Sequence, residues 1–223
     1  KKQSQKRPGL EYKMIPHPIF DNLSPGSNRL INKKCIITGG DSGIGRAVAV
    51  AFAKEGADVC IIYLKQEKKD AKFTAAIIKK TYKKDCLLIS ADLSKETNCI
   101  KSIRKIIKQF GTIDVLVNNA GIHYQVDDFS KTTTKQLKET FSINIFAMFW
   151  LTKTALKFMK KGSNIINTTS VTAYRGSGGL IDYSTTKGAI VSFTRSLSAN
   201  LADKGIRVNG VAPGPVWTPL IVS

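Results

Sequence analysis

From Asn32 onward the apolar residues fall into two alternating rhythms. Short apolar runs read as strands: Cys35-Ile36-Ile37, Asp58 to Leu64, Cys86 to Ser90, Ile113 to Val117, Asn164 to Thr168 and Arg207 to Val211. Longer stretches with helical spacing separate them. The first runs from a glycine-rich turn to about Glu55, with Gly56 as its C-terminal cap, and the second is rich in lysine around apolar positions 73, 77 and 78. A third is expected from an N-cap at Ser94 to Phe110 and Gly111, a fourth from Thr134 to Lys160, and a fifth from Asp182 to Asp203, closed by Gly205. Strands alternating with helices predict an α/β fold, a doubly wound parallel sheet in three layers and a single domain. The strands are apolar on both faces, as helices covering both sides of a sheet require. Residues 1–30 differ. Pro8, Pro16, Pro18 and Pro25 interrupt any period, so this segment reads as an irregular arm or a partly disordered tail ahead of a domain at 31–223.

Composition narrows the class. The 223 residues are 42% hydrophobic, enough for a buried core, but no run approaches the roughly 20 apolar residues of a membrane span. The basic start Lys1 to Arg7 leads into no apolar segment and so is no signal peptide, which makes a cytosolic location the expectation, without a membrane partner. The net charge of +19 comes mainly from lysine. No aromatic–basic interleaving or nucleic-acid motif accompanies it, so solvated helix faces are expected rather than a nucleic-acid site. Cys35, Cys60, Cys86 and Cys99 form no C-x-x-C pair, and reduced core thiols are the reading. With only His17 and His123 as histidines, a Ser-His-Asp hydrolase is hard to build, and no metal cluster is evident. A plain loop residue is the reading for His123, with the pocket wall as the alternative.

The stretch Thr38-Gly39-Gly40-Asp41-Ser42-Gly43-Ile44-Gly45 lies between the first strand and the first helix. A phosphate needs close backbone approach and the unpaired N–H groups of a helix N-terminus, which glycines permit. Strand, turn and helix agree, so a dinucleotide site in a Rossmann-type sheet is favoured over a structural turn. Tyr183 and Lys187 lie four apart on a predicted helix and share a face. A free tyrosine titrates near ~10, and a neighbouring ammonium favours its phenolate.

The spacing T-G-x-x-x-G-x-G resembles the signature of the short-chain dehydrogenase/reductase family. Asn118-Asn119-Ala120-Gly121, Asp92-Leu93, Tyr183-Ser184-Thr185-Thr186-Lys187, Ser170 thirteen residues before that tyrosine, Asn144, Pro213-Gly214 and Thr218 match its further motifs in order, from Lys33 to the end of the sequence. The stretch Pro16 to Gly26 also resembles the N-terminal arm of one bacterial subgroup. The resemblance implies an NAD(P)-dependent oxidoreductase interconverting an alcohol and a carbonyl of a small-molecule substrate. Tyr183 would be the acid/base, Lys187 would lower its pKa and bind the nicotinamide ribose, Ser170 would orient the carbonyl, and Asn144 would hold a water linking Lys187 to solvent. Contacts to NAD or NADP would come from Gly39, Asp41, Ser42, Gly43, Ile44 and Gly45 in the turn and from Tyr63, Leu64 and Lys65 after the second strand. Asp92, Leu93, Asn118, Ala120, Gly121 and Thr168 would follow, then Tyr183, Lys187, Pro213, Gly214, Val216 and Thr218. The family also implies a homotetramer or homodimer and a further helix–loop and seventh strand, which are absent from this sequence. The alternative, a non-catalytic nucleotide-binding regulatory protein, would keep the turn without needing Tyr183, Lys187 and Ser170. The choice between NAD and NADP stays open: no aspartate ends the second strand, although Glu67 lies slightly beyond it, Lys65 would suit a 2′-phosphate or be one more exposed lysine, and Ser42 stands where a basic NADP marker is common.

Overall fold

The structure, a computed structural model, describes residues 3–223. Six strands form one parallel sheet in the order β3-β2-β1-β4-β5-β6: β1 (Lys34–Thr38), β2 (Asp58–Tyr63), β3 (Cys86–Ser90), β4 (Val115–Asn118), β5 (Asn164–Thr168) and β6 (Arg207–Val211). The Rossmann-type sheet is therefore present, and its strand order reverses direction between β1 and β4. In doubly wound sheets such a reversal opens a crevice at the carboxyl ends of the strands.

Side chains alternate along the strands and divide the core in two. Ile36, Cys60, Ile62, Leu116 and Ile165 face one side, against α3 (Glu96–Phe110) and α5 (Ala147–Ala155). Cys35, Ile37, Val59, Ile61 and Val117 face the other, against α1 (Gly43–Lys54) and α2 (Lys68–Tyr82). Ile103 and Ile106 of α3 are fully buried, each worth roughly 1.5–3 kcal/mol by area. The four cysteines are free. Burial pushes the thiols of Cys35, Cys86 and Cys99 up to about 12 and raises that of Cys60 too, which keeps them as protonated core groups. No helix among the described residues is long and apolar enough to cross a membrane.

Four expectations need correction. The third helix begins one residue beyond Lys95 rather than at a Ser94 cap, because Asp92 Oδ1 accepts from both the N–H (3.0 Å) and the hydroxyl (2.7 Å) of Ser94. The stretch expected as one helix from Thr134 to Lys160 is α4 (Thr134–Phe141), a π-turn at Ser142–Phe146, α5 and a final 3-10 turn to Phe158. In α2 the lysines are largely exposed, but Phe73 is half-exposed rather than core, edge-on to Phe20. The buried face of α2 is instead Asp70, Ala71, Thr74 and Ile78. Finally, of the two readings of residues 1–30, the irregular arm fits and the loose tail does not. Its described residues have no regular element beyond the 3-10 turn Glu11–Lys13, yet Met14 and Glu11 are buried, and Trp217 Nε1 donates to the Pro16 carbonyl at 2.8 Å.

Candidate active site

A cavity of about 710 Å³ occupies the crevice at the carboxyl ends of the strands, and its walls come from the loops that the strand reversal brings together. At one end lies the turn after β1. The first N–H groups of α1 have no intrahelical acceptor, and the chain reaches them through Gly43, at φ +50°. A side chain at Gly45 would place its Cβ 1.8 Å from the Gly39 carbonyl oxygen, so only glycine fits there. Asn119 and Ala120 both donate their N–H to Thr38 Oγ1, at 2.8 and 2.9 Å, which fastens the loop after β4 to the turn after β1.

Gly39, Asp41, Ser42, Gly43, Ile44 and Gly45 all line the cavity. Tyr63 and Leu64, Asp92 and Leu93, Ala120 and Gly121, and Thr168 do so as well. So do Pro213, Gly214, Val216 and Thr218, which follow β6. Two expected contacts do not reach it. Lys65 lines a separate small pocket instead, with Lys101 and Lys105. Asn118 is buried, and its amide is spent on Asn167 Oδ1 (2.9 Å) and Thr152 Oγ1 (3.2 Å), so Asn119 takes the place in the wall.

The same wall is acidic near Tyr63. Asp41 is buried and its Oδ2 has no partner among the described residues. Burial raises the Asp41 carboxyl. It also raises Glu67, with the nearby Asp41 charge adding to the effect. Glu67, slightly beyond Tyr63-Leu64-Lys65 in the sequence, turns back so that Oε2 accepts the Leu64 N–H at 2.9 Å.

At the other end stand Ser170, Tyr183 and Lys187. Tyr183 and Lys187 sit on α7 (Ile181–Leu201), which follows the short α6 (Thr172–Arg175), with Lys187 Nζ 5.3 Å from the centre of the Tyr183 ring. Lys187 Nζ donates to the Thr168 carbonyl at 2.7 Å. Burial alone brings its pKa from an ordinary 10.5 to about 8. Burial raises the Tyr183 phenol above its usual range, and the Ser170 hydroxyl beside it pulls partly in the opposite direction. Desolvation is the largest influence on both groups in this unliganded site. Asn144 does not line the cavity. It lies in the π-turn, 1% exposed, and its amide brackets Ile122: Oδ1 accepts the Ile122 N–H and Nδ2 donates to the Ile122 carbonyl, both at 2.9 Å. Its Nδ2 also reaches Thr186 Oγ1 at 3.0 Å.

Two further residues complete the site, the first of them missed by motif reading. Asp182 is buried and accepts from the Tyr183 N–H (2.7 Å), Thr140 Oγ1 (2.8 Å) and Gln136 Nε2 (3.1 Å), tying α7 to α4 directly beside the tyrosine. Its signal was an acidic residue in the first turn of the helix. His123 belongs to the cavity wall after all, edge-on to Tyr183 with ring centres 5.6 Å apart. Its Nε2 lies 2.7 Å from the Leu220 carbonyl and must donate, which leaves the buried Nδ1 as an acceptor without a partner among the described residues.

Residues 33–223 match the short chain dehydrogenase family. The chain belongs to that family. It is 54% identical over 217 residues to an uncharacterized oxidoreductase of Bacillus subtilis, YhdF, covering 97% of this chain and 74% of the relative. It is 49% identical over 226 residues to an NADPH-dependent aldehyde reductase of Arabidopsis thaliana, covering 99% and 78%. Among solved structures, the 3-ketoacyl-(acyl-carrier-protein) reductase of Brucella melitensis complexed with NADH superposes with a TM-score of 0.79 at 31% identity, over 86% of this chain and 79% of that one.

Proposed function

We propose that this protein is an NAD(P)-dependent oxidoreductase that interconverts an alcohol and a carbonyl, with Tyr183 as the proton donor and acceptor. The observation that carries this reading is the convergence of Ser170, Tyr183 and Lys187 on the same cavity as the glycine-rich turn. Relatives that bind NADPH and NADH support the cofactor class. The residues present fit such a group: a Cβ at Gly45 would fill the cradle, and the first turn of α1 has N–H groups to offer a pyrophosphate. Ser42, Ile44 and Gly45 would hold the phosphates, Asp92 and Leu93 the adenine, and Lys187 with Thr218 the nicotinamide half. The nicotinamide cofactor, when bound, supplies or accepts the hydride.

The chain's own part is acid–base work. A phenol raised by burial is protonated at neutral pH, so Tyr183 stands ready to give its proton to a carbonyl oxygen in the reductive direction. Ser170 donates a second hydrogen bond to that oxygen and fixes its position beside the phenol. Lys187, held by the Thr168 carbonyl, presents its ammonium to the phenolate left behind and stabilises it. Asn144 would then act mainly by holding the Ile122 loop over these groups, and any water it helps hold would pass a proton from Lys187 to solvent. A dimer or tetramer formed across α5 and α7 would cover Phe146 and Phe149, which stand half-exposed.

The test is Tyr183→Phe, assayed for NADPH- and NADH-dependent aldehyde reduction and for cofactor affinity by fluorescence titration. Turnover is expected to fall by about 10²–10⁴-fold, the usual worth of a general acid, with cofactor affinity nearly unchanged. Turnover within a few-fold of the parent would remove Tyr183 from the mechanism.

A further inference from the structure

Arg7, Pro8 and Gly9 of the N-terminal arm line the cavity, while Glu11 reaches the glycine-rich turn from behind its wall. Glu11 is 2% exposed although it belongs to an irregular segment. Its Oε2 accepts the Gly43 N–H at 2.5 Å, and its Oε1 pairs with the Arg46 guanidinium. Arg46 in turn donates to the Asp41 carbonyl from Nε (3.0 Å) and Nη2 (2.7 Å), and Thr74 Oγ1 donates to the same carbonyl at 2.9 Å. The peptide groups on both sides of Ser42 are thus held by one buried network. Asp70 on α2 anchors the glutamate by accepting the N–H of Glu11 (2.9 Å) and of Tyr12 (3.0 Å).

We propose that Glu11 is a positioning residue for the phosphate-binding turn, and that the arm is a working part of the cofactor site rather than a surface appendage. The proposal rests on the NAD(P) reading above. A turn that enters the helix through a glycine at φ +50° has many conformations to lose, and fixing it before binding spares that cost when phosphate arrives. Glu11 takes the Gly43 N–H and leaves those of Ile44 and Gly45, which have no other acceptor among the described residues, for the ligand. A carboxylate so close to a phosphate site would repel it, but the Arg46 charge, itself 2% exposed, neutralises the glutamate. The arm also clasps the opposite side of the cavity. Gln5 N–H donates to the Val222 carbonyl at 2.5 Å, and Gly9 packs so closely on Pro219 that a Cβ would lie 2.4 Å from its carbonyl oxygen.

The experiment compares the intact protein with Glu11→Ala and Glu11→Gln by fluorescence titration with NADH and NADPH, alongside thermal melts. Loss of a buried charge-assisted hydrogen bond predicts Kd values about tenfold higher in Glu11→Ala. The increase should be the same for both nucleotides, because the pyrophosphate is common to them. Glu11→Gln keeps an acceptor for Gly43 but loses the charge facing Arg46, so it should recover part of the affinity. A folded Glu11→Ala with parental Kd would reduce the arm to packing and overturn the proposal. Tighter binding would overturn it too, by showing that the carboxylate competes with phosphate. Should Glu11→Ala fail to fold, Glu11→Gln decides: about threefold weaker binding supports the proposal and parental binding overturns it. If the parent protein itself binds neither nucleotide, the cofactor reading falls, a result distinct from any behaviour of the variants.

Discussion

Lys187 should cost this protein stability, and Lys187→Met should reveal it. The side chain is 3% exposed, its only hydrogen bond among the described residues is to the Thr168 carbonyl, and burial alone brings its pKa from 10.5 to about 8. At about 1.4 kcal/mol per pH unit, keeping that ammonium charged inside the fold costs roughly 3 kcal/mol. Methionine matches the length and apolar stem without the charge, but leaves the carbonyl without its donor, a loss of about 1–2 kcal/mol. The net expectation at pH 7 is a variant more stable by about 1–2 kcal/mol, with a Tm higher by roughly 2–8 °C for a chain of this size. Because the folded-state pKa lies below the unfolded one, the cost is present in full below pH 8 and is relieved as the pH rises from 8 to 10.5. The advantage of Lys187→Met should therefore shrink over that window and reverse near its upper end, while carbonyl reduction is lost at every pH. Urea unfolding of both proteins at pH 7 and pH 10 reads this directly. A variant less stable than the parent at pH 7, or a gap that does not change with pH, would refute the view that desolvation dominates this lysine.

Glu67→Gln keeps an acceptor for the Leu64 N–H, and because burial and the Asp41 charge push Glu67 up to about 8, the variant should differ little from the parent at pH 7 but bind NADPH several-fold more tightly relative to NADH at pH 9, where the parental carboxylate is ionised. In the parent protein the ratio of NADPH to NADH affinity should fall as rising pH ionises Glu67, later than for an ordinary glutamate because its pKa is raised, and titrations across pH should find the ratio flat in the variant. Asp182→Ala leaves the Tyr183 N–H, Thr140 and Gln136 without their shared acceptor. It should lower stability by about 2 kcal/mol and reduce kcat with little change in cofactor Kd, so an unaltered Tm would show that the carboxylate does not hold α7 in place.

The strands were legible because each is a short apolar run bounded by polar or glycine residues, and five of the six predicted runs match the observed strands to within a residue at each end. The chemistry of the cavity was legible where a requirement binds to a spacing: glycine where Gly45 leaves no room for a side chain, and a tyrosine one helical turn before a lysine. Other features depend on residues distant in sequence, and no local pattern announces them. Glu11 lies 32 residues from the Gly43 N–H it accepts, and Asp182 lies 42 from Thr140. Lys65 and Asn118 occupy motif positions, yet packing turned one to a separate pocket and spent the other on Asn167 and Thr152. The sequence by itself determined the alternation of strand and helix, since local periodicity decides which faces must be buried. Tertiary structure alone decided the electrostatics. Burial raises the Tyr183 phenol, and the irregular arm became ordered because Glu11 and Asp70 found buried partners that only folding brings within reach.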